Sequence, residues 1–423
     1  MRIRRLFLLF FSLYGLSTIC AQDFDKYFSD NTLRADYIFS GNATTQEISL
    51  SGLSKSAGWA GRRVNLDTLL LQGNAQVTMT DCESGRIIYK QALSTLFQEW
   101  QHTEEATNVR KAFENTILLP LPLKKARITV TLCDNRRKTV AEMSHFVNPD
   151  DILIRHARKH LSENVVKDYL INGKSSDCID LLYIAEGYTE AEMPQFYADV
   201  EKAVHALFSH KPFDKYRKHF NIRTVAIPSE CTDVSEPLKG KWHETPAMSH
   251  FSTFYSDRYL MTEHLFRLHD LIEGIPFEHI VILANTPTYG GGGIFNLYML
   301  TSARQKWFEP VVVHEFGHSF AGLADEYFYD DQYETYYPAD TEPWELNVTT
   351  LADFDKKWRH MVKDVSLRNT GDVGIYEGAG YQSKGVYRGS FNCRMRTNEY
   401  PEFCPVCRES IEKVIKYHIK SVK

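Results

Sequence analysis

The chain has 423 residues, 43% of them hydrophobic and 24% charged, with a formal net charge of -5 at pH 7. That is a globular composition on a chain too long for one ordinary core, so two domains are expected. The mildly acidic balance gives no reason to expect a nucleic-acid partner.

The opening reads as a leader rather than as part of the fold. Met1-Arg2-Ile3-Arg4-Arg5 is basic, Leu6 to Leu16 is an apolar run, and Ser17 to Ala21 brings smaller residues. This is the pattern of a secretory signal over residues 1–21, too short to cross a bilayer. Export to the periplasm, cell surface or medium is expected, with no transmembrane segment. Cys20 raises a lipoprotein reading, which Ile19 disfavours because a small residue is wanted just before a lipidated cysteine.

Residues 22–148 read as β structure. Ala75-Gln76-Val77-Thr78-Met79-Thr80 and Ala126-Arg127-Ile128-Thr129-Val130-Thr131-Leu132 alternate apolar and polar side chains, and breaks such as Cys82-Glu83-Ser84-Gly85 separate the runs. Short strands at this spacing predict a β-sandwich. It carries no catalytic constellation, so it either binds or positions substrate or serves as a passive stabilising unit. Asn148-Pro149-Asp150-Asp151 marks the boundary, and a charged, helical-looking connector runs over 149–170.

In residues 149–423 the periodicity changes. Asp180 to Ala185 is a buried-strand pattern, and Thr189 with Glu192 forms a capping-box signature ahead of a helix whose Phe196, Val200, Val204 and Leu207 share a face. Further strands are predicted over Ile222 to Ile227 and His279 to Leu283, with a helix around Tyr259 to Leu271 between them. This alternation implies an α/β layer. The glycine run Gly290-Gly291-Gly292-Gly293 follows. It reads as a rim where a substrate backbone approaches closely and where the chain can move, or else as a plain flexible loop.

His314-Glu315-Phe316-Gly317-His318 then places two imidazoles four residues apart, on one face of a helix. Both rings reach one metal ion, and Glu315 is placed to hold an attacking water and take its proton as zinc lowers the water's pKa towards about 7. Pro310 suits the first turn, and Val312, Phe316 and Phe320 recur every fourth residue as a core-facing stripe. Buried imidazoles and a carboxylate are costly without a partner, which favours a metal site over a core helix with satisfied histidines. Gly322 can end the helix in the left-handed conformation and return the chain, making Asp325 the favoured third ligand and Glu326 its competitor.

The run resembles the metzincin pattern, with the glycine and the acid each one residue later than usual. As HExxHxxxGLADEY, it is similar to the bacterial metallopeptidase family named for an IgA-cleaving protease. The resemblance implies a methionine turn beneath the metal, for which Asn392-Cys393-Arg394-Met395-Arg396 is the match. It extends into Cys404-Pro405-Val406-Cys407, and the family often carries an N-terminal domain. Beyond the signal lie seven cysteines, an odd number that leaves at least one unpaired in an oxidising compartment. A disulfide involving Cys393 is expected. The Cys404/Cys407 pair does not read as a second zinc site, because no matching CxxC or nearby histidine pair completes it.

These readings converge on an α+β two-domain chain: an N-terminal β-sandwich followed by a metzincin-like α/β zinc-peptidase domain. One catalytic Zn2+ is expected on His314, His318 and Asp325, with Glu315 as general base, Met395 in the turn below and a protein or peptide as substrate. Tyr327, Tyr400 and Arg388 are candidate oxyanion donors. The competing readings are a secreted binding protein or adhesin with a non-catalytic metal, and a zinc amidase acting on cell wall. An intact Glu315 weighs against the first, and the glycine rim against the second.

Overall fold

The computed structural model describes residues 24–157, 165–330, 336–363 and 373–420. The expected signal, with Cys20, lies outside these residues. The chain is a mixed α+β protein with an N-terminal region of two four-stranded sheets. One runs in the order Lys111–Pro122, Phe28–Gly41, Gln46–Ala57, Arg155–His156; the other Ile87–Leu93, Ala75–Asp81, Ala126–Cys133, Thr139–Val147. Alternation decides which side chains go inside. In Ala126–Cys133 the apolar Ile128, Val130 and Leu132 are fully buried while Arg127 is exposed.

A six-stranded sheet follows, in the order Gly291–Ile294, Tyr298–Ser302, His279–Ala284, Ile179–Glu186, Phe220–Val225, Val166–Leu170. Its four inner strands are parallel and both edge strands antiparallel. Ile179–Glu186 is buried at every position, as expected of a strand covered on both faces. The capping box forms at Thr189 and Glu192, and helix Met193–Ser209 buries Phe196, Val200, Val204 and Leu207. Helices Phe308–Ala321 and Pro405–Ile419 join it on one face, where Tyr183, Phe213, Phe316 and Phe320 share a core.

The opposite face of the sheet completes the N-terminal core. Leu182, Ile184 and Ile282 belong to one apolar cluster with Val77, Ile128 and Val130, so hydrophobic contact runs unbroken past residue 148. Polar ties reinforce it. Glu114 accepts from the backbone N–H of Phe266, at the start of helix Leu265–Leu271, and Arg34 donates to the Phe266 carbonyl.

Two expectations fail. The helical-looking connector supplies strands instead, at Arg155–His156 and Val166–Leu170, while 158–164 lie outside the described residues. Its charges line a sheet edge: Asp168 pairs with Arg223 at 3.1 Å, and the Lys167 ammonium lies over the Tyr197 ring. Charged side chains suit an edge strand as well as a helix surface, so composition alone misassigned the segment. The helix around Tyr259 is confined to Leu265–Leu271, and Tyr259 bridges Gly291 instead.

If the core is continuous, Leu182→Ala lowers stability by about 2–5 kcal/mol in a single cooperative transition. Denaturant unfolding followed by tryptophan fluorescence checks this; a separate, unshifted transition of the N-terminal sheets would show two independent cores.

Candidate metal centre

The helix Phe308–Ala321 carries the centre. Gly322, at φ +55°, stops it in the left-handed conformation, and its N–H returns to the His318 carbonyl at 2.9 Å. Leu323 N–H bonds the Gly317 carbonyl at 3.2 Å, completing the turn. The chain then doubles back, and Asn347 grips it on both sides, accepting from Ala324 N–H and donating to the Ala324 carbonyl.

That reversal brings Asp325 to the imidazoles. Its Oδ1 lies 3.1 Å from His314 Nε2 and 3.2 Å from His318 Nε2, and the two Nε2 atoms are 3.1 Å apart. The other ring nitrogens settle the protons. His314 Nδ1 faces the Arg394 carbonyl at 3.0 Å, and His318 Nδ1 faces the Leu323 carbonyl at 2.6 Å. A carbonyl only accepts, so each Nδ1 carries the hydrogen and each Nε2 presents a lone pair. Asp325 Oδ1 is buried without a hydrogen-bond partner. Three bare acceptors thus converge on one point, which requires a positive charge between them.

The spacing fits a metal. An ion bound at about 2.0–2.1 Å in tetrahedral geometry sets its donors about 3.3 Å apart, close to the sides of this triangle. The electrostatics agree. Burial opposes charge on Asp325, yet the imidazoles hold its carboxyl far below the usual range. Burial also disfavours charge on His318, yet the Asp325 carboxylate lifts it to about 9, so without an ion a proton on this ring supplies the positive charge that the three acceptors require. Asp325 Oδ2 accepts from the Tyr381 hydroxyl, which fixes the carboxylate's orientation.

Glu315 lies beside this triangle under the glycine strand. A Cβ on Gly291 would stand 3.3 Å from Glu315 Oε1, and one on Gly293 only 2.3 Å from the Glu315 carbonyl. The glycines therefore serve close approach, and the rim is seated on the helix rather than loose. On the opposite face a Cβ on Gly292 would strike Met261 and Tyr259. Burial pushes the Glu315 carboxyl up, against the pull of the two imidazoles.

Met395 is fully buried, and a Cβ on Gly317 would come 2.8 Å from its sulfur, so the thioether packs against the helix between the two histidines. Glu326, the competing ligand, points elsewhere: its Oε1 is 3.0 Å from Cys407 Sγ. All seven cysteines of the described residues are free thiols, and Cys393 Sγ lies 3.7 Å from Cys407 Sγ, so the expected Cys393 disulfide is absent. Arg388 is committed to the carbonyls of Glu377 and Gly378, and Tyr327 packs against the Tyr381 ring.

Three contributors escaped the sequence. Tyr381 acts from the first position of strand Tyr381–Arg388 and Asn347 from a loop, neither marked by a periodic signal. Glu99, from the N-terminal region, bonds the Tyr259 hydroxyl, and burial raises its carboxyl to about 7 in the field of His318, Asp325 and Glu315. The N-terminal region, through its short helix Leu96–Trp100, therefore brings a carboxyl to the edge of the centre.

Fold and site together define a mixed α+β protein with a candidate hydrolytic metal centre. More particularly, the family model described as IgA Peptidase M64 matches residues 169–369 and 365–415, more than half of the chain, and the protein belongs to that family. A second model, Peptidase M64 N-terminus, matches residues 23–144. Membership supports a hydrolase of the peptidase class acting on protein substrates, with metal dependence. A comparison with curated proteins found no match. No helix among the described residues is long and apolar enough to cross a membrane.

Gly293→Ala is expected to lower stability by about 1–3 kcal/mol by forcing the strand off the helix, while Gly52→Ala, which meets nothing within 4 Å, stays within about 0.5 kcal/mol of the parent. Thermal melting of both variants checks this; equal melting temperatures would contradict the close approach.

Proposed function

We propose that the protein is an exported zinc-dependent endopeptidase with His314, His318 and Asp325 as metal ligands and Glu315 as general base. The observation that carries the reading is the triangle of inward-facing lone pairs beside the half-buried Glu315 carboxylate. Two nitrogens and one carboxylate oxygen are a donor set suited to zinc, and a three-residue set leaves a position open.

When bound, the ion supplies Lewis acidity that polarises the scissile carbonyl and acidifies the attacking water. Glu315 accepts that water's proton and passes it to the leaving amine. Its raised pKa suits both steps. The Arg394 and Leu323 carbonyls hold the imidazoles in the ligating tautomer, and Tyr381 holds Asp325. Met395 forms the apolar floor, as in metzincin-like sites.

The rim Gly290 to Gly293 aligns substrate as an added strand. Gly291 N–H is already taken by the Arg258 carbonyl at 3.3 Å, so the edge open to a peptide begins beyond it. An unbranched peptide backbone fits that edge better than a cell-wall amide, and a binding protein has no use for Glu315. On this reading residues 1–21 are the export signal, 22–148 a β-sandwich, and 149–423 the metallopeptidase domain with 149–170 as connector. The sandwich positions substrate, which the approach of Glu99 to the centre supports.

Glu315→Gln is expected to lower kcat/KM by about 10²–10⁴-fold with zinc content unchanged; an unbiased peptide-library digest and metal analysis read both, and near-parent turnover would refute the mechanism. Tyr381→Phe should weaken zinc affinity or activity by about 10–100-fold, measured by competition with a chelator. Parent-like affinity and activity would show that the hydroxyl does not support Asp325.

A further inference from the structure

Behind the candidate centre lies a second cluster. Cys393, Cys404, Cys407 and Glu326 each offer a donor atom within 4.8 Å of the others, and all four residues are at most 2% exposed. Glu326 Oε1 is 3.0 Å from Cys407 Sγ and 3.9 Å from Cys404 Sγ, and Cys393 Sγ is 3.7 Å from Cys407 Sγ. Donors on an ion with Zn–S bonds of about 2.3 Å stand about 3.8 Å apart. The second carboxylate oxygen, Glu326 Oε2, is buried with no hydrogen-bond partner. A buried carboxylate surrounded by three thiols and left half unsatisfied is costly unless something positive joins it.

Backbone donors and a helix end face the sulfurs. Cys393 Sγ accepts the N–H groups of Cys404 at 3.2 Å and Met395 at 3.5 Å, and Cys404 Sγ accepts that of Cys407 at 3.5 Å. Cys404 is also the N-cap of helix Pro405–Ile419, where the helix end stabilises negative charge. Arg388 adds a positive charge acting on both Glu326 and Cys393.

We propose that Cys393, Cys404, Cys407 and Glu326 bind a second divalent ion of the zinc class, closed to solvent and structural in role. Four protein donors leave no open position, and thiolates select zinc over harder cations. The ion joins three segments that build the other centre. Glu326 follows Asp325 directly, and its N–H bonds the Met395 carbonyl at 2.8 Å. Cys393 precedes Arg394, whose carbonyl holds His314. Cys404 and Cys407 open the helix packed against Phe316 and Phe320.

The test is zinc content of the full chain after dialysis, with His314→Ala/His318→Ala beside the parent and cobalt(II) as a spectroscopic substitute. Two ions in the parent and one in the variant are expected, and cobalt in either protein should give thiolate-to-metal charge-transfer absorption. One ion in the parent, retained by the variant, would support this site while removing the ligand set proposed for catalysis. A single ion in the parent that the variant no longer holds, cobalt without thiolate absorption, or a disulfide among Cys393, Cys404 and Cys407 in the non-reduced chain would overturn the proposal. Because cobalt reads sulfur ligation in the parent itself, the test stands even if the variant folds poorly.

Discussion

Two imidazoles and a carboxylate that face one another with their lone pairs repel unless a cation lies between them, and this constraint organises the candidate metal centre. Each ring is held from behind by a backbone carbonyl, so neither can turn its protonated nitrogen inward. Tyr381 braces Asp325 in the same way. The helix stops at Gly322 because only a left-handed residue returns the chain quickly enough to bring that carboxylate back. Gly317 is bare where the Met395 sulfur sits, and Gly293 is bare where the rim strand crosses Glu315. Each of these positions gives up side-chain packing for close approach around the same point.

Most of the frame was legible from periodicity. The alternation in Ala75–Asp81 and Ala126–Cys133, the apolar run of Leu181 to Ala185 and the capping box at Thr189 each state their structure locally. So does the HExxH helix, whose histidine spacing and core stripe are both properties of one turn. Asp325 could be favoured over Glu326 only as an ordering of two neighbours, because the turn at Gly322 fixes where the chain goes but not which side chain faces inward.

What escaped is long-range. Tyr381 reaches Asp325 across 56 residues, and Asn347 reaches Ala324 across 23. Glu99 approaches the centre only because the N-terminal sheets share a core with the six-stranded sheet. The connector misled because charge suits a helix surface and an exposed edge strand alike. The cysteines misled for a different reason. In sequence a CxxC asks for a second pair of the same kind, whereas the fold supplies its complement as one cysteine and one glutamate from separate loops.

Asp325 and Glu326 are neighbours in sequence, yet one faces nitrogen donors and the other sulfur. A single peptide unit thus divides two chemically distinct compartments, and the loop's length is fixed to the residue. A deletion ahead of it would carry Glu326 to the imidazoles and Tyr327 to the thiols, and an insertion between the two histidines' helix and Asp325 would carry Asp325 to the thiols.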